Sequence, residues 1–148
     1  MSTMQCVVDA SVLVAATRPS EKFHAGAQVC LQTLMTAGAV ILVPTIALAE
    51  LAAAISRGGA DADLAEEIVD AYRRGPNIEL IPVDKALGDL AATIAAHQRI
   101  RGCDAVYVAL AQDRNAVLIT LDNEQRQRSP SNVLAWTPEE LLKNWRNN

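Results

Sequence analysis

Residues 6–16 read CVVDASVLVAA, an apolar run that is interrupted by one aspartate, Asp9, and by Ser11. The β-branched residues before Asp9 predict a short buried strand, and the residues after it predict a helix. A carboxylate avoids buried surroundings unless it is paired with a cation or binds a metal. The segment therefore predicts a strand-to-helix junction with an acidic side chain at the carboxyl end of the strand.

Three other apolar segments carry one embedded acid each. They read PTIALAELAAAI at 44–55, RGCDAVYVALA at 101–111 and AVLITLD at 116–122, and their acids are Glu50, Asp104 and Asp122. For any one of these acids, a helix cap or a buried pairing with arginine is the usual explanation. Four acids in comparable settings indicate a shared site instead.

Strand-like and helix-like segments alternate along the chain, which predicts crossover units and a parallel sheet. We expect strands near 5–8, 39–43, 78–83 and 117–121, with a weaker one near 133–135. We expect helices near 11–17, 22–37, 45–57, 61–74, 84–100, 103–114 and 137–146. The polar stretch 123–132 is predicted as a loop at the rim of the site. The length favours a single domain over residues 1–148.

Composition bounds the function. The net charge of −4 argues against a nucleic-acid partner, but without the four embedded acids the thirteen remaining acidic residues would balance the thirteen basic ones. No apolar run approaches the ~20 residues of a membrane span. The residues MSTMQCVVDA lack the pattern of a secretory leader, so we expect a cytoplasmic protein. The three cysteines are expected to be reduced and buried.

The expected topology brings the acids together. Asp9 and Asp122 end parallel strands, the edge at which open α/β sheets bind ligands, and Asp104 begins a helix. Carboxylates ~5 Å apart would repel by about 3 kcal/mol per pair at a dielectric of ~20. Protonation, a basic residue from a partner or a hard divalent cation would relieve this repulsion. All-oxygen ligands favour Mg²⁺ or Mn²⁺, which support in-line phosphoryl displacement.

The segments VVDASV, CDAVYVALA and VLITLD, with a glutamate in the helix after the second strand, resemble PIN-domain ribonucleases. They are most similar to the toxins of bacterial VapBC toxin–antitoxin pairs. The resemblance implies a three-layer α/β/α fold with a mostly parallel sheet of four to five strands. It also implies RNA cleavage that depends on Mg²⁺ or Mn²⁺, and an antitoxin partner that occupies the site.

The same resemblance implies roles for individual residues. The catalytic quartet is Asp9, Glu50, Asp104 and Asp122. We expect the three aspartates to hold one or two metal ions, with Glu50 as a further ligand or as the base for the attacking water. Ser11 and Thr120 match the small hydroxyl positions that accompany the first and last acids; each is otherwise an ordinary cap or strand hydroxyl.

The residues after Asp122 depart from many relatives, which carry an apolar or aromatic residue there. Glu124 either adds a fifth carboxylate or is a solvated surface acid. Asn123 either orients a water ligand of the ion or caps the following turn. Arg101 and Arg126, close in sequence to embedded acids, are candidate contacts for RNA phosphates, although such charges are ordinarily surface charges.

Alternative functions remain open at this point. The same fold also serves a housekeeping RNA-processing nuclease without an antitoxin, which the neighbouring gene would distinguish from a toxin. A binding module that has lost catalysis is a third reading, disfavoured because the acids are intact. The alanine-rich helices near 45–57 and 90–96 predict a homodimer, unless they are buried within the domain.

Overall fold

The computed structural model describes residues 3–146, and five parallel strands form its central sheet. The strands are β1 (Gln5–Val8), β2 (Val40–Pro44), β3 (Ile78–Ile81), β4 (Val117–Ile119) and β5 (Ala135–Trp136). Their order across the sheet is β3-β2-β1-β4-β5, and each neighbouring pair is parallel. The predicted parallel sheet is confirmed, with the Asp9 strand at its centre.

Helices connect the strands and cover both faces of the sheet. Within residues 3–146 they are α1 (Ala10–Thr17), α2 (His24–Thr36), α3 (Ile46–Arg57), α4 (Ala62–Arg73), α5 (Lys85–Gln98), α6 (Gly102–Arg114), α7 (Asn123–Arg128) and α8 (Pro138–Arg146). Helix α6 packs on β1, β2 and β4 with α5 beside it, whereas α2 packs against α1, β2 and α8. The three-layer α/β/α fold is therefore confirmed.

The core lies around β1 and α6. Cys6, Val7 and Val8 are fully buried, as expected for a central strand that is covered on both faces. In α6 every residue from 105 to 111 is buried. Because α6 crosses the middle of the sheet, its first turn, which carries Asp104, is held firmly relative to the end of β1.

Helix caps confirm several predicted helix starts. Asp61 accepts a hydrogen bond from the backbone N–H of Leu64, and Asp84 accepts one from that of Leu87. Thr137 accepts one from the N–H of Glu140. Each bond satisfies a donor that the first helical turn leaves free.

Two expectations were wrong. The stretch 123–132 was predicted as a loop, but its first six residues form α7. The side chain of Asp122 caps this helix, and Gln125 stands at the third helical position, as in a capping box. Cys103 is exposed rather than buried, because it lies in the first turn of α6, before the buried stretch. None of the described helices is long and apolar enough to span a membrane.

Candidate active site

Asp9 lies at the carboxyl end of the central strand. Its backbone N–H donates to the carbonyl of Ile119 over 3.0 Å, which extends the ladder between β1 and β4. Only 4% of the residue is exposed. The hydroxyl groups of Ser11 and Thr120 donate to the same carboxylate oxygen, Oδ2, at 2.8 and 2.7 Å. Both of these hydrogen bonds leave the other oxygen, Oδ1, unengaged by the two hydroxyl groups.

The two hydroxyl groups also join β1 to the segment after β4. The Ser11 hydroxyl accepts a hydrogen bond of 3.1 Å from the N–H of Leu121. The Thr120 hydroxyl accepts one of 3.0 Å from the N–H of Asp122. Both hydroxyl groups lie beside Asp9, and they fix the strand end that carries Asp122.

The pKa of Asp9 is raised from its ordinary value to about 6. Burial is the main cause, since it penalises the charged carboxylate. The hydrogen bonds from Thr120 and Ser11 oppose this by stabilising the charge, and the negative charges of Asp104 and Glu50 raise the pKa further. Three of the embedded acids are therefore close enough to act on one another.

Arg101 links the other two aspartates. Its Nε donates to Asp104 Oδ2 over 2.9 Å, and its Nη2 donates to Asp122 Oδ2 over 3.3 Å. Burial raises the pKa of Asp104, Arg101 opposes that shift, and the charge of Asp122 adds to it. A guanidinium group of this chain thus supplies positive charge where the two carboxylates meet.

Glu50 points from α3 toward α6. The hydroxyl of Tyr107 donates to Glu50 Oε1 over 2.5 Å, and Tyr107 is fully buried. Burial, followed by the charges of Asp9 and Glu50, raises the pKa of this phenol, so it stays a donor. Sequence reasoning missed this contact, because the contact depends on how α3 and α6 pack.

Gln125 is a second residue that sequence reasoning missed. It is fully buried, and its Nε2 donates to the backbone carbonyl of Asp104 over 2.9 Å. Its own N–H is capped by Asp122 Oδ1 at 2.9 Å. One glutamine therefore connects the elements that carry two of the acids. Its position three residues after Asp122 matches a capping box, which is the signal that could have revealed it.

The remaining candidates have other partners. Glu124 pairs with Arg128 at 2.5 Å. Asn123 accepts a hydrogen bond from Arg126, which also donates to Glu140 over 3.3 Å, so Asn123 does not cap α7. Over residues 3–146, no three His, Cys, Asp or Glu side chains are grouped closely enough to hold a metal ion as they stand.

The fold and the site together define a class of protein: an α/β domain whose parallel sheet carries acidic side chains along its carboxyl edge. The model of the PIN domain family matches residues 6–129, and the chain belongs to this family. A comparison with curated protein sequences found no match.

Solved structures share this fold at low sequence identity. The VapBC2 complex of Rickettsia felis, bound to a DNA fragment from its promoter, matches with a TM-score of 0.71 and 18% identity over 90% of this chain and 98% of that chain. DNA-bound VapBC of Salmonella typhimurium matches with a TM-score of 0.72 and 13% identity over 92% of this chain and 99% of that chain. VapC20 of Mycobacterium tuberculosis, a toxin that cleaves the sarcin–ricin loop, matches with a TM-score of 0.70 and 17% identity. This match covers 87% of this chain and 98% of that chain.

Proposed function

We propose that this protein is an endoribonuclease that depends on Mg²⁺ or Mn²⁺ and acts as the toxin of a type II toxin–antitoxin pair. One observation carries the proposal. Four carboxylates lie along one edge of a parallel sheet. After burial, the charges of neighbouring acids contribute to the raised pKa values of Asp9 and Asp104. A purely structural role does not explain why a chain keeps one buried and three half-buried acids that repel one another.

The donor set fits a hard divalent cation. Every side chain in it offers carboxylate oxygen, the ligand that Mg²⁺ and Mn²⁺ prefer. Arg101 acts as a cationic stand-in between Asp104 and Asp122. Asp9, Asp104 and Asp122 would hold the ion, which requires the three carboxylates to move closer together than they stand here and Arg101 to withdraw. Its side chain is 72% exposed, so this movement disturbs no packed core.

The chain's own residues have separable roles in the proposed reaction. A bound cation lowers the pKa of water and offsets the charge of the phosphodiester. Ser11 and Thr120 keep Asp9 oriented and favour its charged form. Glu50, held through one oxygen by Tyr107, is the ligand or the base that takes the proton of the attacking water. Arg101, once withdrawn, and Arg126 would contact RNA phosphates.

The partners follow from the family and the fold. PIN domain proteins are nucleases, and several solved structures with this fold are VapBC complexes. We therefore infer a cognate antitoxin that covers the acidic edge, while a homodimer and a cytoplasmic site of action stay predictions from the sequence. A DNA-binding protein encoded next to this gene would distinguish the toxin from a housekeeping nuclease.

The test is RNA cleavage by the purified protein. Total RNA is incubated with the wild type, with Asp104→Asn and with Asp113→Asn, in Mg²⁺, in Mn²⁺ or in chelator, and the cut ends are mapped. Asp113 is the matched control, because it lies at the other end of α6 and pairs only with Arg114 in the described residues.

We expect discrete cuts with metal from the wild type and Asp113→Asn, and none with chelator or from Asp104→Asn. If Asp104→Asn cut RNA at the rate of the wild type, the acidic edge would not be the site of cleavage. Absence of cuts by the wild type, together with tight RNA binding, would favour a binding module.

A further inference from the structure

A cleft of about 370 Å³ lies beside the acidic edge, and apart from Arg126 its wall has no role in the proposed function. Its wall combines an aromatic ring, aliphatic side chains and polar groups, which include Phe23, Leu121, Leu142, Asn123, Arg126 and Glu139. The volume falls at the lower end of the range for small-molecule sites, ~300–1,000 Å³. Leu121 and Asn123 flank Asp122 in the chain, so the cleft adjoins the proposed metal site.

The topology explains why the cleft opens at the same edge as the acids. Helices α7 and α8 each begin where a parallel strand ends, which is the carboxyl edge. Helix α2 ends a few residues before β2 begins, at the amino edge, so its first turn lies toward the carboxyl edge. The cleft forms where the beginnings of these three helices meet. An RNA strand bound across Asp122 would pass over it.

Phe23 is an aromatic residue of this cleft that does not belong to the buried core. It is the one phenylalanine of the chain, and it is 51% exposed. The ammonium group of Lys22 lies 5.2 Å from the centroid of the ring. An exposed aromatic face next to a cation is the combination that binds a nucleobase together with its phosphate.

The rest of the wall offers polar groups suited to the edge of a base. Asn123 and Thr137 contribute polar side chains to it. The exposed carboxylate of Glu139 accepts hydrogen bonds from amino groups. The pairing of Arg126 with Glu140 leaves little net positive charge in the cleft itself. Away from Arg126, a ligand with a flat apolar face and polar edges fits this wall better than a phosphate group does.

We propose that this cleft binds one unpaired nucleobase of the RNA next to the scissile phosphate, with Phe23 stacking on the base. The proposal rests on the proposed function, since it gives that reaction a subsite for its substrate. It makes Phe23 a residue that binds RNA and determines specificity, while the acids carry the chemistry. The competing occupant is an apolar side chain of a partner protein, which needs no aromatic ring opposite it.

Binding is measured by fluorescence anisotropy with a labelled, mixed-sequence pool of ten-nucleotide RNA and with a strand of equal length that lacks bases. All proteins carry Asp104→Asn so that the RNA stays intact. The variants are Phe23→Ala, Phe23→Leu and Phe23→Tyr. Leu134→Ala is the matched control, because Leu134 is equally exposed at 51% and precedes β5, at the opposite edge of the sheet.

Phe23→Ala and Phe23→Leu should weaken binding of the base-containing pool by about 5- to 100-fold, the range for loss of one stacked base. Phe23→Tyr should bind as the parent protein does, and no variant should change binding of the strand without bases. Equal losses on both strands, or full affinity in Phe23→Leu, would overturn the proposal. Because this assay does not measure cleavage, its failure is separate from failure of the nuclease proposal.

Discussion

Thr120 donates a hydrogen bond of 2.7 Å to Asp9, although 111 positions separate the two residues in the chain. The register of the sheet produces this contact, because Val8 pairs with Ile119 and the next residue on each strand is Asp9 or Thr120. The hydroxyl therefore reaches the buried carboxylate without any loop having to adjust. Two neighbouring strands thus set the charge state of the acid at the centre of the edge.

Replacing Thr120 by valine should shift the pH dependence of cleavage. The hydroxyl lowers the pKa of Asp9, so its loss raises that pKa by about one unit, the effect of a hydrogen bond to a charged group. A protonated Asp9 cannot bind the cation. Cleavage at sub-saturating Mn²⁺ should therefore fall about threefold near pH 6.5 and about tenfold near pH 5, and it should recover near pH 8.5.

Thr33→Val is the control for this experiment, since its hydroxyl donates to a backbone carbonyl on the exposed side of α2. Its rate profile should match the wild type. A Thr120→Val profile with an unchanged acid limb would mean that the hydroxyl does not act through Asp9.

Asp9→Asn should stabilise the protein when metal is removed. The pKa of Asp9 is raised from 3.8 to about 6 on folding, so the unfolded chain loses this proton first. The contribution of Asp9 to stability therefore falls as pH rises from about 4 to 6 and stays low above that. The variant avoids this loss, worth about 2–3 kcal/mol in the free energy of unfolding.

Urea denaturation in chelator measures this difference at pH 4.5 and pH 7.5. The variant should gain stability over the wild type mainly at the higher pH. Asp113→Asn, which removes an exposed aspartate, should show no such gain. If Asp9→Asn were less stable than the wild type at pH 7.5, the buried charge of Asp9 would not destabilise the folded protein.

The elements of the fold could be predicted because their signals are local. The apolar runs of β1 and β2 predict buried strands, and Asp61 and Asp84 mark the starts of two helices by capping them. Helix α7 was predicted as a loop because its residues, NEQRQR, are polar throughout and show no apolar face. Its capping signal, from Asp122 to Gln125, was present in the sequence.

The site could be predicted only as far as the sheet topology reaches. Topology brings Asp9 and Asp122 to one edge, but it does not say which cation stands beside them. Arg101 stays a predicted phosphate contact, but no local pattern indicated that its side chain also pairs with Asp104 and Asp122. The contact between Tyr107 and Glu50 depends on the packing of two helices that are remote in sequence, which no local pattern encodes.

Tyr107→Phe should reduce catalysis more than folding. The substitution removes only the hydroxyl that holds Glu50 Oε1, so Glu50 loses its fixed position while the ring still fills the core. We expect the maximal rate of cleavage to fall about tenfold and the free energy of unfolding to change by about 1 kcal/mol. Single-turnover cleavage and urea denaturation measure the two effects.

Tyr72→Phe is the matched substitution, because the Tyr72 hydroxyl contacts Thr17 and the carbonyl of Leu13, away from the acids. It should change stability to a similar degree and leave the rate unaltered. Equal rates for the two variants would show that Glu50 needs no fixed orientation.

Arg101→Gln should bind metal more tightly than the wild type does. Arg101 and a divalent cation compete for Asp104 and Asp122, and the arginine must withdraw before the ion can bind. Arg101 is exposed to solvent, so the gain is modest, about 3- to 10-fold in the dissociation constant for Mn²⁺ measured by calorimetry.

The variant should also lose stability in chelator, since the carboxylates then repel without a counter-charge. Arg73→Gln breaks a pair with Asp70 of the same spacing on α4, and it should leave Mn²⁺ affinity unchanged. If Arg101→Gln instead binds Mn²⁺ more weakly than Arg73→Gln does, then Arg101 assists the ion rather than competing with it. The guanidinium group would then belong to the loaded site.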